Sequence, residues 1–177
     1  TSFRPKYKSL SELKDYFPDV PMIALTATLN VQGMEEVIEI LRMDSPVKFL
    51  HSLDRPTIQY NVFIKTTSHT QINSILKRHL GEAGIIYCST TKAVNSLATF
   101  LEYKGYNCRP FHSKLKKSEK EENLKLYLDG EVDIIVATIA FGMGIDKANI
   151  RFVIHENMPS SIDAYLQETG RASRDSL

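Results

Sequence analysis

Hydrophobic residues in this 177-residue chain fall into short runs of strand length, separated by longer segments of helical periodicity. Several runs are apolar at consecutive positions, which is typical of strands covered on both faces of a parallel sheet. The runs predict strands at residues 22–25, 60–64, 84–88, 132–137 and 151–155. Because such strands need helices on both faces, the pattern predicts an α/β fold.

The segments between the runs carry apolar residues at the spacing of one helical face. They predict helices over residues 31–41, 91–104, 118–128 and 160–169. The third has the sequence signature of a capping box, with Ser118 followed three residues later by Glu121, and Gly130 follows its end.

Two proline motifs interrupt this alternation between residues 44 and 57. Pro46 and Pro56 each end an aspartate-containing tripeptide, and proline restricts the residue before it to extended or turning backbone. We therefore expect a linker in this stretch.

Charge and cysteine content change this picture little. The formal net charge is +1, which neither favours nor excludes a nucleic-acid partner, since a local basic groove can lie on a near-neutral domain. Cys88 and Cys108 lie near predicted strand ends without the spacing of metal ligands, so we expect reduced, buried thiols and an intracellular protein. No apolar run has the length of a membrane span, and we expect no membrane partner.

One strand end is followed by residues suited to binding an anion. Thr138 comes directly after the predicted strand 132–137, and Gly142 and Gly144 follow within six residues. Ligands of open α/β sheets bind beyond the carboxyl ends of the strands, and glycines permit close approach of backbone amides to a phosphate. The alternative is a tight turn that binds nothing.

Two arginines near the end of the chain are also candidates for binding phosphate. Arg171 and Arg174 are three residues apart, so on a helix their guanidinium groups would project from one face. The planar guanidinium can hold two phosphate oxygens at once, which lysine does less well.

Hydroxyl and imidazole side chains occur at other predicted strand ends. Thr26 and Thr28 precede the predicted helix 31–41, where they could contact a ligand or simply cap the helix. His112 follows a strand end at residues 109–111, and His155 ends the predicted strand 151–155. For each histidine the alternative is a structural role in which its hydrogen bonds are satisfied.

Six short motifs of this chain resemble those of the RecQ family of DNA helicases, in the same order and spacing. They begin at Phe3, Ala24, Asp54, Gly84, Ala137 and Gln167. The resemblance extends over essentially the whole chain. It is most specific in the Ala-Thr-Ile-Ala-Phe-Gly-Met-Gly-Ile-Asp-Lys run and in Gln-Glu-Thr-Gly-Arg.

The resemblance implies a RecA-like, three-layer α/β fold with a mostly parallel sheet. Residues 1–52 would be the end of a first RecA-like lobe with its linker, and residues 53–177 most of a second. It further implies an ATP-dependent DNA helicase that translocates 3′ to 5′ on single-stranded and partially duplex DNA. Its compartment would be the nucleus of a eukaryote, or the cytoplasm and nucleoid of a bacterium.

The resemblance also implies roles for individual residues. Thr26 and Thr28 would couple nucleotide state to DNA. Ser89, Thr90, Thr138 and His112 would contact DNA. Asp146 and Gly144 would lie near ATP, Arg174 would be the arginine finger on the γ-phosphate with Arg171 as its partner, and Gln167 would help to set that loop.

Two elements expected of such an enzyme do not occur in this sequence. It contains no Gly-x-x-x-x-Gly-Lys-Ser/Thr loop and no Asp-Glu pair of the kind that holds Mg²⁺. We therefore expect ATP and Mg²⁺ to be bound mainly by a preceding part of the first lobe, and the chain alone to be inactive. The alternative is a degenerate, non-catalytic helicase module that binds nucleic acid or regulates.

Three positions depart from the family pattern. Ser173 and Ser176 stand where relatives usually have glycine, and Lys114 lies within a variant of the usual His-Ala-Gly-Leu motif. If Ser173 has a positive φ angle, we expect a cost of about 1 kcal/mol.

Overall fold

The computed structural model describes residues 5–26, 31–50, 52, 54–142 and 145–175. The chain divides into two units, Thr1–Asp54 and Arg55–Leu177.

The regular secondary structure described in the first unit is helical. A 3₁₀ helix, Pro5–Glu12, leads directly into α1 (Leu13–Tyr16), and α2 (Val31–Ile40) follows. Arg42, just beyond α2, donates hydrogen bonds to Asp15 Oδ1 at 2.5 Å and to the Ser11 carbonyl at 3.0 Å. The predicted helix over residues 31–41 is thus confirmed.

The predicted strand at residues 22–25 is wrong. Residues 21–26 carry no regular structure, and the side chains of Ile23 and Leu25 are 80% and 91% exposed. A strand forms only where its backbone hydrogen-bonds to a neighbouring strand, and no described segment of the chain pairs with this one. Apolar residues alone therefore do not produce a strand here.

The second unit alternates helices with parallel strands. Its elements are α3 (Ser68–Leu76), β1 (Ala83–Tyr87), α4 (Thr91–Tyr103), β2 (Cys108–Phe111), α5 (Lys117–Asp129), β3 (Ile134–Ala137), β4 (Ile150–His155) and α6 (Ile162–Thr169). The four strands form one sheet in the order β2-β3-β1-β4, and every neighbouring pair is parallel.

Alternate side chains of the strands enter two separate hydrophobic clusters. On one face, Ile86 and Val136 pack with α3 and α4; on the other, Ile85 and Ile135 pack with Tyr127 of α5. All four strand residues are fully buried, which explains why β1 and β3 have consecutive apolar residues. The predicted three-layer α/β fold with a parallel sheet is confirmed.

The helix ends were only partly predicted. Thr90 caps α4 by accepting a hydrogen bond from the Ala93 amide, and Gly130, with φ of 81°, ends α5 as expected. The predicted capping box at Ser118 is wrong, because α5 begins one residue earlier at Lys117 and its N-cap, Lys116, makes no side-chain cap bond. Ser118 therefore lies inside the first turn.

The remaining predicted strand, at residues 60–64, is also wrong. This segment carries no regular structure and pairs with no strand among the described residues, and Val62 and Ile64 are 87% and 90% exposed. The cysteine prediction is confirmed in its structural part: Cys88 and Cys108 are free and buried. Burial raises the pKa of the Cys108 thiol to about 12, so this thiol stays protonated at neutral pH.

Candidate functional site

Three of the predicted DNA-contacting residues follow neighbouring strand ends. Tyr87 at the end of β1 pairs with Ala137 at the end of β3, and Ala137 pairs with Phe111 at the end of β2. The residues that follow these strands, Ser89, His112 and Thr138, therefore emerge at one carboxyl edge of the sheet. Adjacent strands lie about 4.8 Å apart, so this edge can follow a phosphate backbone. We call these residues together with Thr90 the edge set.

The members of the edge set differ in their accessibility. Ser89 and Thr90 are exposed and Thr138 is half-buried at the start of a turn, where the Phe141 amide donates to the Thr138 carbonyl at 3.0 Å. The hydroxyl oxygen of Thr90 accepts the capping bond of α4, so a phosphate contact would use its hydroxyl proton. The edge set thus presents hydroxyl groups beside the N-terminus of a 13-residue helix, which favours anions.

His112 is placed differently from the hydroxyl residues. Its side chain is only 3% exposed, and its Nε2 lies 2.9 Å from Asn95 Oδ1. The buried Nδ1 has no hydrogen-bond partner within the described part of the chain. This packing gives His112 a structural partner, and its direct contact with DNA stays a prediction.

The two candidate arginines lie beyond α6 and not on a helix. The helix ends at Thr169 with Gly170 as its C-cap, so the condition for a shared helical face is not met. Arg171 is buried and donates to the Gly142 carbonyl, whereas the Arg174 side chain is 36% exposed. We call residues 170–175 the arginine segment.

Arg174 contacts the loop that follows β3. Its Nη1 donates to the Ile145 carbonyl at 3.1 Å and to Asp146 Oδ1 at 3.0 Å. Asp146 is 90% exposed, so water screens this ion pair and it contributes little to stability. The structure therefore brings two of the residues predicted near ATP, Arg174 and Asp146, into direct contact, with one guanidinium edge oriented by a carbonyl and a carboxylate.

The position of the Arg171 side chain explains why residue 142 is a glycine. A Cβ atom at Gly142 would lie 2.6 Å from Arg171 Nη2, so any other residue would displace the guanidinium. The glycine thus makes room for a buried side chain, where we had expected close approach to a phosphate. Gly144, the second predicted glycine, lies outside the described residues.

A buried polar network connects the end of β1 with the last turn of α6, directly before the arginine segment. The Tyr87 hydroxyl donates to the Phe141 carbonyl at 2.9 Å. The Tyr87 ring stacks on the His155 ring, with 5.4 Å between the two ring centroids. His155 Nε2 in turn lies 2.7 Å from Glu168 Oε2, on the last turn of α6. Burial raises the pKa of Tyr87 to about 12, with the Arg171 charge acting in the opposite direction, so the phenol remains a neutral donor. His155 therefore has the structural role that we had weighed for it.

Further hydrogen bonds hold the arginine segment in place. Ser173 has φ of 54°, in the left-handed region, and its amide donates to the Ile150 carbonyl at 2.9 Å. Arg151 Nη1 donates to Asp175 Oδ1 at 2.9 Å. Arg55 Nη2 donates to the carbonyls of Ala172 at 3.2 Å and Ser173 at 2.9 Å.

Arg55 is the contact that sequence reasoning missed. It lies 118 residues before Ser173 in the chain, and its only sequence signal was membership of the Asp54-Arg55-Pro56 motif, which had placed a linker and contributed to the family resemblance without giving Arg55 a role.

An open cleft of about 460 Å³ lies beside the arginine segment. Its lining residues are Arg55, Pro56, Thr57, Gly170, Ser173 and Arg174. Two of these residues are arginines and two, Thr57 and Ser173, carry hydroxyl groups, and such a lining suits an anionic ligand.

Five further residues were singled out in the sequence. Gln167 is exposed on α6, and Thr26 is exposed in the first unit. Thr28 and Ser176 lie outside the described residues, and Lys114 is exposed in the turn before α5. The roles predicted for them stay predictions.

The side chains present fit a phosphate better than a metal ion. Nowhere in the described ranges do three His, Cys, Asp or Glu side chains group closely enough to hold a metal. Arg174, by contrast, offers an oriented and accessible guanidinium. Separately, no helix in the described part of the chain is long and apolar enough to cross a bilayer.

Comparison with known proteins identifies relatives over nearly the whole sequence. Residues 67–176 match the helicase conserved C-terminal domain. The chain is 41% identical over 175 residues to the ATP-dependent DNA helicase RecQ of Pasteurella multocida, covering 99% of this chain and 28% of that protein. It is 38% identical to the ATP-dependent helicase SGS1 of Saccharomyces cerevisiae and 37% identical to the RecQ-like DNA helicase BLM of Xenopus laevis. Each covers 98% of this chain, which spans only 12% and 13% of those two proteins.

Proposed function

Because this chain belongs to the RecQ family of DNA helicases and carries their conserved C-terminal helicase domain, we propose that it works as part of an ATP-dependent 3′–5′ DNA helicase. Residues 53–177 would form most of the second RecA-like lobe, and residues 1–52 the end of the first. Its substrates would be single-stranded and partially duplex DNA, in replication, recombination or repair.

Arg174 is the residue that we assign to the chemistry of ATP hydrolysis. The observation that carries this assignment is its accessible guanidinium, which the Ile145 carbonyl and Asp146 orient and which belongs to a residue that lines an open cleft. A preorganised positive charge stabilises the negative charge that develops on the γ-phosphate during transfer, which is how an arginine finger acts. Asp146 would hold the guanidinium until a phosphate competes for it.

Arg171 supports this function in a less direct way than the sequence suggested. Arg171 is buried and bonded to the Gly142 carbonyl, which favours a role in fixing the loop before Asp146. A contact with phosphate would require the Arg171 side chain to leave that position. A buried guanidinium without a well-placed partner is costly, so this contact is expected to be retained.

The edge set would hold the DNA backbone. Hydroxyl groups and a helix N-terminus bind phosphate oxygens without reading bases, so this surface suits sequence-independent contact with a single strand. Different residues are thus assigned to DNA and to nucleotide, which would let both ligands bind together.

ATP and Mg²⁺ would be held mainly by a segment that carries the phosphate-binding loop and the Asp-Glu pair. A DNA-processing role also predicts residence with the DNA of the cell, in the nucleus of a eukaryote or the nucleoid of a bacterium.

The isolated 177-residue chain provides a direct test of the DNA-binding part of this proposal. We expect weak binding of single-stranded oligonucleotides by fluorescence anisotropy, with little base preference and a clear loss between low and physiological salt. Thr138→Ala should weaken binding several-fold, as expected from loss of about 1 kcal/mol. Thr99→Ala, an exposed threonine in the second half of α4, is the matched control and should bind normally. Salt-independent binding, or equal losses in both variants, would contradict the edge set as the DNA surface.

The same chain should not hydrolyse ATP measurably, because an arginine finger acts only on a nucleotide that other groups hold. DNA-stimulated hydrolysis by the purified chain that disappears in Arg174→Ala would contradict this division of the site.

A further inference from the structure

We propose that Arg55 is a positioning residue for Arg174: it fixes the backbone from which the arginine finger projects. This inference rests on the proposed function of Arg174 as a γ-phosphate contact. It assigns a catalytic purpose to a residue that lies 118 positions before the carbonyl it holds.

The backbone of Arg55 is itself fixed by a turn. The Ile58 amide donates to the Arg55 carbonyl at 2.9 Å, and Pro56 occupies the second position of this turn, where its restricted φ angle is favourable. Ile58 packs against the hydrophobic cluster that also contains buried Ala172. The turn and the arginine segment are therefore anchored on the same part of the core, which holds the two ends of the contact at a constant separation.

The guanidinium of Arg55 contacts the segment at its strained point. Nη2 reaches two consecutive carbonyls, those of Ala172 and Ser173, at 3.2 and 2.9 Å. Two consecutive carbonyls can face one donor only for a restricted set of backbone angles, and Ser173 between them has φ of 54°. A non-glycine residue leaves the left-handed region readily unless its surroundings hold it there. Arg55 supplies such a restraint.

The backbone angles of Ser173 determine the position of Arg174, the next residue. Its backbone begins at the carbonyl of Ser173, so a rotation of that peptide displaces the guanidinium that now lies 3.1 Å from the Ile145 carbonyl. A misplacement of about 1 Å of a catalytic group costs on the order of 100-fold in rate. Arg55 therefore affects hydrolysis although it is assigned no contact with the nucleotide.

A double-mutant cycle tests the inference in the longer protein that carries this chain together with a phosphate-binding loop. Arg55→Ala should lower kcat for ATP by about 10- to 100-fold with KM and DNA affinity nearly unchanged. In an Arg174→Ala background the same change should cost less than about 3-fold, because the positioned group is absent. Arg55→Lys should recover part of the lost rate, since an ammonium can reach one of the two carbonyls.

Arg109→Ala is the matched control, because Arg109 is another half-buried arginine whose Nη1 donates to a backbone carbonyl, that of Cys108 at 2.8 Å. It should leave kcat unchanged. Additive losses in the double mutant, or equal losses in Arg55→Ala and Arg109→Ala, would overturn the positioning role. If Arg174→Ala itself left kcat unchanged, the proposed function would fail.

Amide hydrogen exchange on the 177-residue chain tests the restraint without ATP. Arg55→Ala should speed exchange of the Ser173 amide, now bonded to the Ile150 carbonyl, at least 10-fold relative to amides of β1 and β3. An unchanged Ser173 rate in a folded variant would overturn the inference, whatever the outcome for hydrolysis.

Discussion

The left-handed backbone of Ser173 makes a quantitative prediction about stability. Its φ angle is 54°, where an L-residue with a Cβ atom costs about 1–2 kcal/mol relative to glycine. Glycine also raises the entropy of the unfolded chain, which lowers the free energy of unfolding by about 0.4–1 kcal/mol and offsets part of this gain. We therefore expect Ser173→Gly to be more stable than Ser173→Ala by about 0.5–1 kcal/mol.

Comparison of these two variants isolates the backbone effect. Ser173 is 6% exposed, and both substitutions delete its hydroxyl, so the loss of any side-chain contact cancels between them. The difference left is the Cβ atom, held at a positive φ angle. In a chain of this size, 1 kcal/mol corresponds to about 2–4 °C in Tm.

Urea denaturation followed by far-UV circular dichroism provides the measurement, since the chain contains no tryptophan to report by fluorescence. Ser96, exposed in the middle of α4, is the matched control. There the order should reverse, with Ser96→Gly about 1 kcal/mol less stable than Ser96→Ala. If Ser173→Gly were also less stable than Ser173→Ala, the strain assigned to this position would be wrong.

Three further predictions concern buried groups. Gly84→Ala should destabilise the fold by about 1–3 kcal/mol in urea, because its Cβ would lie 2.0 Å from the Phe152 ring. Gly142→Ala should displace Arg171 and expose it to trypsin, with the new cut identified by mass spectrometry, whereas the parent chain should resist cleavage there. Because burial raises the pKa of Cys108 to about 12, this thiol should remain protonated and unreactive with thiol reagents at pH 8 until urea unfolds the chain; rapid modification of the folded protein would contradict its burial.

The sheet and most helices could be predicted because their sequence patterns are local. Strands β1 and β3 are buried on both faces, so every position is apolar, and α4 has a clear apolar stripe with a stop at Gly105. Residues 60–64 are likewise mostly apolar, but strand formation depends on a partner elsewhere in the chain. Local pattern carries no information about that partner.

The candidate site could be predicted in its members but not in its arrangement. Parallel strand ends share one edge, so the clustering of Ser89 with Thr138 follows from the sheet alone. Burial of Arg171 depends on Gly170 ending α6 and on space left by Gly142, and the role of Arg55 depends on a contact across more than 100 residues. These are tertiary features, which the spacing of residues along the chain does not encode.

Arg174 is proposed to contribute to hydrolysis of a nucleotide held by another part of the protein. Its most direct test is the steady-state, DNA-stimulated ATPase rate of the longer protein, compared between the parent and Arg174→Ala, with DNA affinity measured in parallel. We predict a fall in kcat on the order of 10³, with nearly unchanged DNA affinity. An unchanged kcat, or a loss of DNA binding as large as the loss of rate, would contradict the account.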